Sequence, residues 1–305
     1  MELYLPIAGM SVDMVLLLGL GSVVGFLSGM FGVGGGFLMT PLLLFVGIPA
    51  TVAVGTQSVQ ILASSFSSVL NHVQRRTVDV KMGAVLVAGG LIGAGIGIVI
   101  FRVVRSLGYI DVTIAFSYVI LLGVVGTTML NESLRTVLQT IRPGRSTSQP
   151  KRSHRHGFAH RWPLKVRFPR SRLYISALLP GLIGGAVGIL TAIMGVGGGF
   201  VMIPAMIYLI GMPASIVVGT SLFQITFVAA LTTFLQAAFN HTVDIVLGLL
   251  LIVGGVIGAQ VGTRVALQLR GDYMRLALAI LIVGVCLKLV YDLVATPYYP
   301  YELVG

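Results

Sequence analysis

The chain has 305 residues, a mean hydropathy of +1.00, 56% apolar residues and only 10% charged ones, which excludes a soluble globular protein and indicates an integral membrane protein. The net charge of +11 is not a nucleic-acid signature, because ten of the twenty basic residues fall between Arg142 and Arg172, a stretch without a single acid. Outside that stretch ten bases face nine acids.

The start, Met1-Glu2-Leu3-Tyr4, carries neither a basic segment nor a small-residue cleavage signal. The first apolar run, from Met14 to about Phe31, is therefore expected to be a permanent helix, with Ser11 or Asp13 as its cap. Gly32-Val33-Gly34-Gly35-Gly36-Phe37 then interrupts it, since consecutive glycines have low helix propensity and expose backbone amides. Phe37 to Val46 is too short to cross a hydrocarbon core of about 30 Å and reads as a half-helix. Gly47-Ile48-Pro49 turns the chain into a longer helix to about Val73, followed by spans at about Val80 to Phe101 and Tyr109 to Leu130.

The same order recurs after the basic stretch. Leu173 to Met194 reads as a span, Gly195-Val196-Gly197-Gly198-Gly199-Phe200 as the break and Phe200 to Ile210 as the half-helix. A long helix follows from Pro213 to about Asn240, then spans at Ile245 to Leu267 and Tyr273 to Ala295. Between Gly32 and Pro41 eight of ten positions match those between Gly195 and Pro204. Gly-x-Pro-Ala, Val-Gly-Thr, a glutamine (Gln60, Gln224) and Thr-Val-Asp (Thr77 to Asp79, Thr242 to Asp244) also follow in both copies.

The chain is thus an internal duplication, with a first repeat over 1–140, a basic linker over 141–172 and a second repeat over 173–305. The fold class expected is all-α, a polytopic membrane protein. Each repeat holds about three full spans and a broken, re-entrant helix pair, and an odd number of crossings inverts one repeat relative to the other. Glycines 83, 89, 90 and 93, matched by 248, 254, 255 and 258, are read as helix-packing positions.

Lysine and arginine close to membrane spans hold connections in the cytoplasm, so the linker, together with Arg75, Arg76 and Lys81, is expected inside and both termini outside. Arg102 and Arg105 are the exceptions, landing outside. His154, His156 and His160 of the linker lack cysteine or carboxylate partners, and no metal or other cofactor is expected. Cys286, the sole cysteine, reads as a packing residue. No nucleophile with a base stands at convincing spacing in the spans, so an enzyme is not expected.

Broken helices at membrane depth are tolerated only where protein or a water-filled cavity satisfies the freed backbone groups. The amides of Gly34, Gly35 and Gly36, and of Gly197, Gly198 and Gly199, open the two half-helices, where unpaired N–H groups favour an anion. No Gly-Lys-Ser/Thr follows, which excludes a nucleotide-binding phosphate loop. The competing reading is that these glycines only permit a tight helix crossing. Phe37 and Phe200 adjoin the breaks. Thr56, Gln60 and Ser64 share one helix face, repeated by Thr220 and Gln224, and are expected either to line the solute site or to hydrogen-bond between helices. Gln57 and Ser221 are corresponding but unlike, so the site can be asymmetric. Asp79 and Asp244 stand at helix entrances, where capping is the default and proton coupling the sharper alternative.

The duplicated G-x-G-G-G-F…P with its following G-x-P…V-G-T resembles the TauE/SafE sulfite exporter family over both halves. The resemblance implies a permease of the bacterial inner membrane for small sulfur-containing anions such as sulfite, sulfoacetate or organosulfonates. The inverted halves and paired broken helices carry the further expectation of alternating access around a midplane site, with a small anionic substrate, the lipid bilayer as surroundings and a proton or sodium ion as the candidate for coupling. A passive channel, or a transporter of an unrelated small solute, is the alternative. A homodimer is compatible with this reading, although no residue of the sequence argues for one.

Overall fold

The structure, a computed structural model, describes residues 2–31, 36–141, 165–171, 173–266 and 271–295. Gly34, Gly35 and the linker histidines lie outside the described residues.

Each half opens on a β-hairpin. Glu2–Leu5 (β1) pairs antiparallel with Met10–Asp13 (β2), and Lys165–Phe168 (β3) with Leu173–Ser176 (β4). Leu173 to Ser176, expected as the start of a helix, is instead the second strand of a hairpin that straddles the expected linker boundary. Two four-residue strands, each burying one or two side chains such as Leu5, Val12, Phe168 and Ile175, are too short to leave a two-residue period in the sequence. In the second hairpin the interleaved Lys165 and Arg167 further mask the apolar residues.

The described residues form ten helices: α1 Met14–Phe31, α2 Gly36–Phe45, α3 Ala50–Gln74, α4 Val80–Ser106 and α5 Ile110–Ile141, then α6 Leu178–Met194, α7 Gly199–Ala205, α8 Ala214–Leu235, α9 Ile245–Ala266 and α10 Gly271–Val294. The helices α7 and α8 continue into π-helical ends at Met206–Ile210 and Gln236–Asn240. Five helices among the described residues, α4, α5, α8, α9 and α10, are long and apolar enough to cross a membrane. The chain is a multi-pass helical membrane protein.

The halves interlock. α1 lies along α9, and its counterpart α6 lies along α4. These two seams are built of glycine: a methyl group on Gly25 or Gly258 would collide with the backbone of Gly255 or Ser22, and one on Gly89 or Gly93 with that of Gly181 or Gly185, at well under 3.0 Å. Lipid offers no hydrophobic drive between helices, so such backbone-to-backbone contact supplies the packing energy directly. The corresponding helices α3 and α8 run antiparallel, with Thr233 Oγ1 donating to Ser58 Oγ at 3.0 Å at one level and His72 beside Gly219 at another. α5 and α10 are antiparallel too, with Gly126 against Ile282 and Gly123 against Cys286.

The two hairpins mark opposite ends of the bundle. The Ile7 amide of the first hairpin donates to Asp244 Oδ2 (3.1 Å) at the start of α9, and the Ser171 amide and hydroxyl of the second donate to Asp79 Oδ2 (3.0 and 2.6 Å) at the start of α4. Thr56, near the start of α3, bonds to Asp244, whereas the end of α3 leads directly into Thr77 to Asp79. The helix α3 therefore joins the two ends, and its 25 residues span about 37 Å. The short helix α2 returns to the first end, where a Cβ on Gly47 would lie 4.0 Å from the Met10 side chain.

Candidate functional site

The two breaks meet. Gly36, the first residue of α2, faces the second break so closely that a Cβ on it would sit 2.7 Å from the Val196 carbonyl oxygen and 2.7 Å from Ile61 Cδ1. The adjoining rings of Phe37 and Phe200 stack with centroids 4.5 Å apart and planes 11° from parallel. Both phenylalanines are buried, as is every residue from Gly195 to Phe200. Gly195, Gly197 and Gly198 take φ of 70°, 72° and 71°, a left-handed backbone that a residue with a Cβ rarely adopts. That backbone terminates α6 and turns the chain into α7 within four residues.

Polar groups are concentrated on the first half's side of the meeting point. Gln57 Nε2 donates to the Gly36 carbonyl, and Thr40 Oγ1 donates to Gln57 Oε1. Tyr118 of α5 donates its hydroxyl to the Met194 carbonyl at 2.7 Å, just ahead of the second break. In the second half Ile203 corresponds to Thr40, and Ser221, which donates to its own helix at the Val218 carbonyl (2.9 Å), corresponds to Gln57. Position 40 is one of the two that differ in the ten-residue motif, and its side chain bonds to Gln57, whose counterpart is a serine. Thr40 and Tyr118 escaped sequence reasoning. The mismatch with Ile203 was the available signal for the first; an isolated tyrosine in an apolar helix gives none for the second.

The remaining expected residues lie elsewhere. Thr56 and Thr220, both fully buried, accept the backbone N–H of Asp244 (2.9 Å) and of Asp79 (3.0 Å), each from the opposite half. The glycine of each Val-Gly-Thr permits this approach: a Cβ on Gly55 would lie 2.7 Å from the Thr242 carbonyl oxygen, and one on Gly219 would lie 2.7 Å from that of Thr77. The repeated Val-Gly-Thr and Thr-Val-Asp motifs are thus two sides of one contact, made twice. Thr56→Val or Thr220→Val leaves a buried amide unpaired and is expected to cost about 1–3 kcal/mol, with Thr→Ser far milder. Thermal unfolding in detergent reads the difference, and equal melting of the Val and Ser variants would refute the latch.

The aspartates cap. Asp79 Oδ1 accepts the Met82 amide (3.2 Å), and Asp244 Oδ1 accepts those of Val246 and Leu247 (both 3.1 Å). Gln60 Nε2 on α3 donates to the Leu251 carbonyl of α9 (3.3 Å). Its counterpart Gln224, fully buried against Gly90, has no partner for either carboxamide atom.

The geometry therefore offers an uncharged, enclosed meeting of two interrupted helices lined by backbone, amide and hydroxyl groups. Proteins similar to this chain in sequence are membrane transporters by name. The chain is 29% identical over 258 residues, 83% of its length and 85% of the relative's, to a "Probable membrane transporter protein" of Xylella fastidiosa. It is 27% identical over 293 residues, 92% of its length and 100% of the relative's, to the "Probable membrane transporter protein YjnA" of Bacillus subtilis. Over 113 residues, 35% of its length and 24% of the relative's, it is 32% identical to "Sulfite exporter TauE/SafE family protein 3" of Arabidopsis thaliana. No solved structure matches. The family described as sulfite exporter TauE/SafE matches residues 17–289, both breaks, both latches and both glycine seams included, and the chain belongs to that family of membrane transporters.

Proposed function

We propose that the protein is a secondary transporter of small sulfur-containing anions such as sulfite, sulfoacetate or organosulfonates, working by alternating access of two inverted halves around the meeting point of the Gly32–Phe37 and Gly195–Phe200 breaks. The observation that carries this reading is the approach of Gly36 to the Val196 carbonyl, with Phe37 stacked on Phe200. Two half-helices that begin at one buried point direct the positive ends of their dipoles and their first amides at the same small volume. A solute held by amides, Gln57 and Thr40 rather than by lysine or arginine is attracted without being bound too tightly to leave.

The inverted arrangement is supported by the antiparallel packing of α3 with α8 and of α5 with α10, the packing that a two-fold axis across the helices would give. The exposed Arg75, Arg76 and Lys81 stand at the same end as the second hairpin, into which the basic linker leads. That end is the cytoplasmic one in our reading, the termini lie in the periplasm and the membrane is the bacterial inner membrane.

Uptake of labelled sulfite by proteoliposomes should saturate with concentration and respond to an imposed proton or sodium gradient. Flux that rises linearly without limit would make the protein a channel, and no flux of any of the three anion classes would overturn the substrate assignment. Because the second carboxylate oxygen of Asp79 and of Asp244 accepts hairpin amides, Asp79→Asn and Asp244→Asn, which turn one acceptor into an NH2 donor, are expected to lower stability by about 1 kcal/mol while leaving the pH profile of flux in place. A flattened profile would make either residue a proton carrier.

A further inference from the structure

The two halves differ along the helices α3 and α8. On α3, Gln60, Ser64, Ser68 and His72 recur every four residues, so they run down one side of the helix from the level of the breaks to the second end. Ser64 is exposed on this side. On α8 the matching side carries Gln224, Val228, Thr232 and Gln236, followed by Asn240, and all five are buried. Within this buried run neither polar atom of Gln224 nor the Thr232 hydroxyl has a hydrogen-bond partner. Unpaired buried polar groups in the middle of a membrane helix are expensive, and two on one helix face are expected where another conformation wets them.

At the first end this run stops under a clasp. Arg102 Nε donates to Asn240 Oδ1 (3.2 Å), Arg102 Nη2 to the Phe239 carbonyl (3.2 Å) and Arg105 Nη1 to the Asn240 carbonyl (2.8 Å), while the Arg102 guanidinium lies 4.7 Å from the Phe239 ring centroid. Asn240 Nδ2 and the Thr242 hydroxyl both donate to Gln236 Oε1 (2.6 and 3.1 Å), which ties the clasp to the run beneath it. The clasp grips the π-helical end of α8, a geometry that is rare and frequent at functional sites. Arg102 and Arg105 are also the two bases that the distribution of charge leaves on the wrong side of the membrane.

Building on the transport reading above, we propose that the α8 face from Gln224 through Thr232 and Gln236 to Asn240 is the first-end half of the solute path, closed here, and that Arg102 and Arg105 are its gate. The α3 face from Gln60 to His72 is the other half, open here to the second end. When the gate releases, the two guanidinium groups lose their carbonyl partners and become the first positive charges an entering anion meets.

Accessibility to a membrane-impermeant cationic methanethiosulfonate tests this without any assumption about the substrate. The full-length chain carrying Cys286→Ser receives Ser64→Cys or Thr232→Cys and is labelled in right-side-out and inverted vesicles. Ser64→Cys should react from one side and Thr232→Cys should be protected from both. Adding Arg102→Gln and Arg105→Gln should raise labelling of Thr232→Cys by about tenfold or more, from the side opposite to that which labels Ser64→Cys. If the double substitution lowers the amount of protein in the membrane, either single one should give a smaller rise of the same sidedness. Thr232→Cys that stays protected in every arginine variant, or reacts from the same side as Ser64→Cys, overturns the gate. Loss of sulfite flux with the labelling pattern intact would instead count against the substrate assignment alone.

Discussion

Gly36→Ala is expected to lower solute flux by about tenfold or more in proteoliposomes while the protein remains inserted and folded. The reason is steric and local. The added methyl would lie 2.7 Å from the Val196 carbonyl oxygen, 2.7 Å from Ile61 Cδ1 and 3.1 Å from Gln57 Nε2. Ile61 can turn aside, but the carbonyl belongs to the opposite break and moves only if the two half-helices separate. Overpacking of this kind costs roughly 1–3 kcal/mol, and about 1.4 kcal/mol of it already amounts to about tenfold in rate if it falls on the transported state. Alanine in place of glycine within a helix gains back up to ~1 kcal/mol, so global stability should barely change. The loss is thus placed on the site rather than on the fold. Gly198→Ala should be more severe, because its backbone sits at φ 71° and its methyl would overlap Val187 Cγ1. Wild-type flux in Gly36→Ala would remove the meeting point from the mechanism.

Gly93→Ala and Gly95→Ala, two residues apart on α4, should behave oppositely. A methyl on Gly93 would be driven into the Gly185 carbonyl of α6, with only backbone to yield, whereas one on Gly95 meets nothing within 4 Å. The first should therefore force α4 and α6 apart at a cost of about 1–3 kcal/mol, seen as a fall of several degrees in the melting temperature. The second should leave melting unchanged or raise it slightly, since alanine is the better helix former. Equal melting of the two variants would show that the seam is not held by close backbone approach. The same comparison separates Gly258, which is pressed on Ser22, from Gly19, which has open space around it.

The membrane class, the duplication and both breaks were legible in the sequence, because each rests on composition or on short-range pattern. A long run without charge reads as a span, and three adjacent glycines of low helix propensity read as its interruption. The helix starts expected at Val80, Ile245 and Phe200 lie within a residue of those found, since each is set by a local signal: a capping aspartate for two and a glycine break for the third. The hairpins were not legible, because four-residue strands carry no period long enough to stand out against the surrounding apolar residues.

What the sequence could not decide is which repeated polar residue serves the site and which serves the joint between halves. Thr56 and Gln57 are neighbours in the chain, yet Thr56 turns to the Asp244 amide of the other half and Gln57 to the Gly36 carbonyl at the break. Successive side chains on a helix point about 100° apart, so adjacent positions face different partners, and only the placement of α9 and α2 around α3 says which partner each one meets. By itself the sequence determined the elements and their twofold repetition, because those depend on neighbours along the chain. Only the tertiary structure decided that the two breaks touch, that the halves exchange their first helices and that one glutamine is bonded while its counterpart is stranded, because those depend on residues some 160 positions apart brought within a few ångströms.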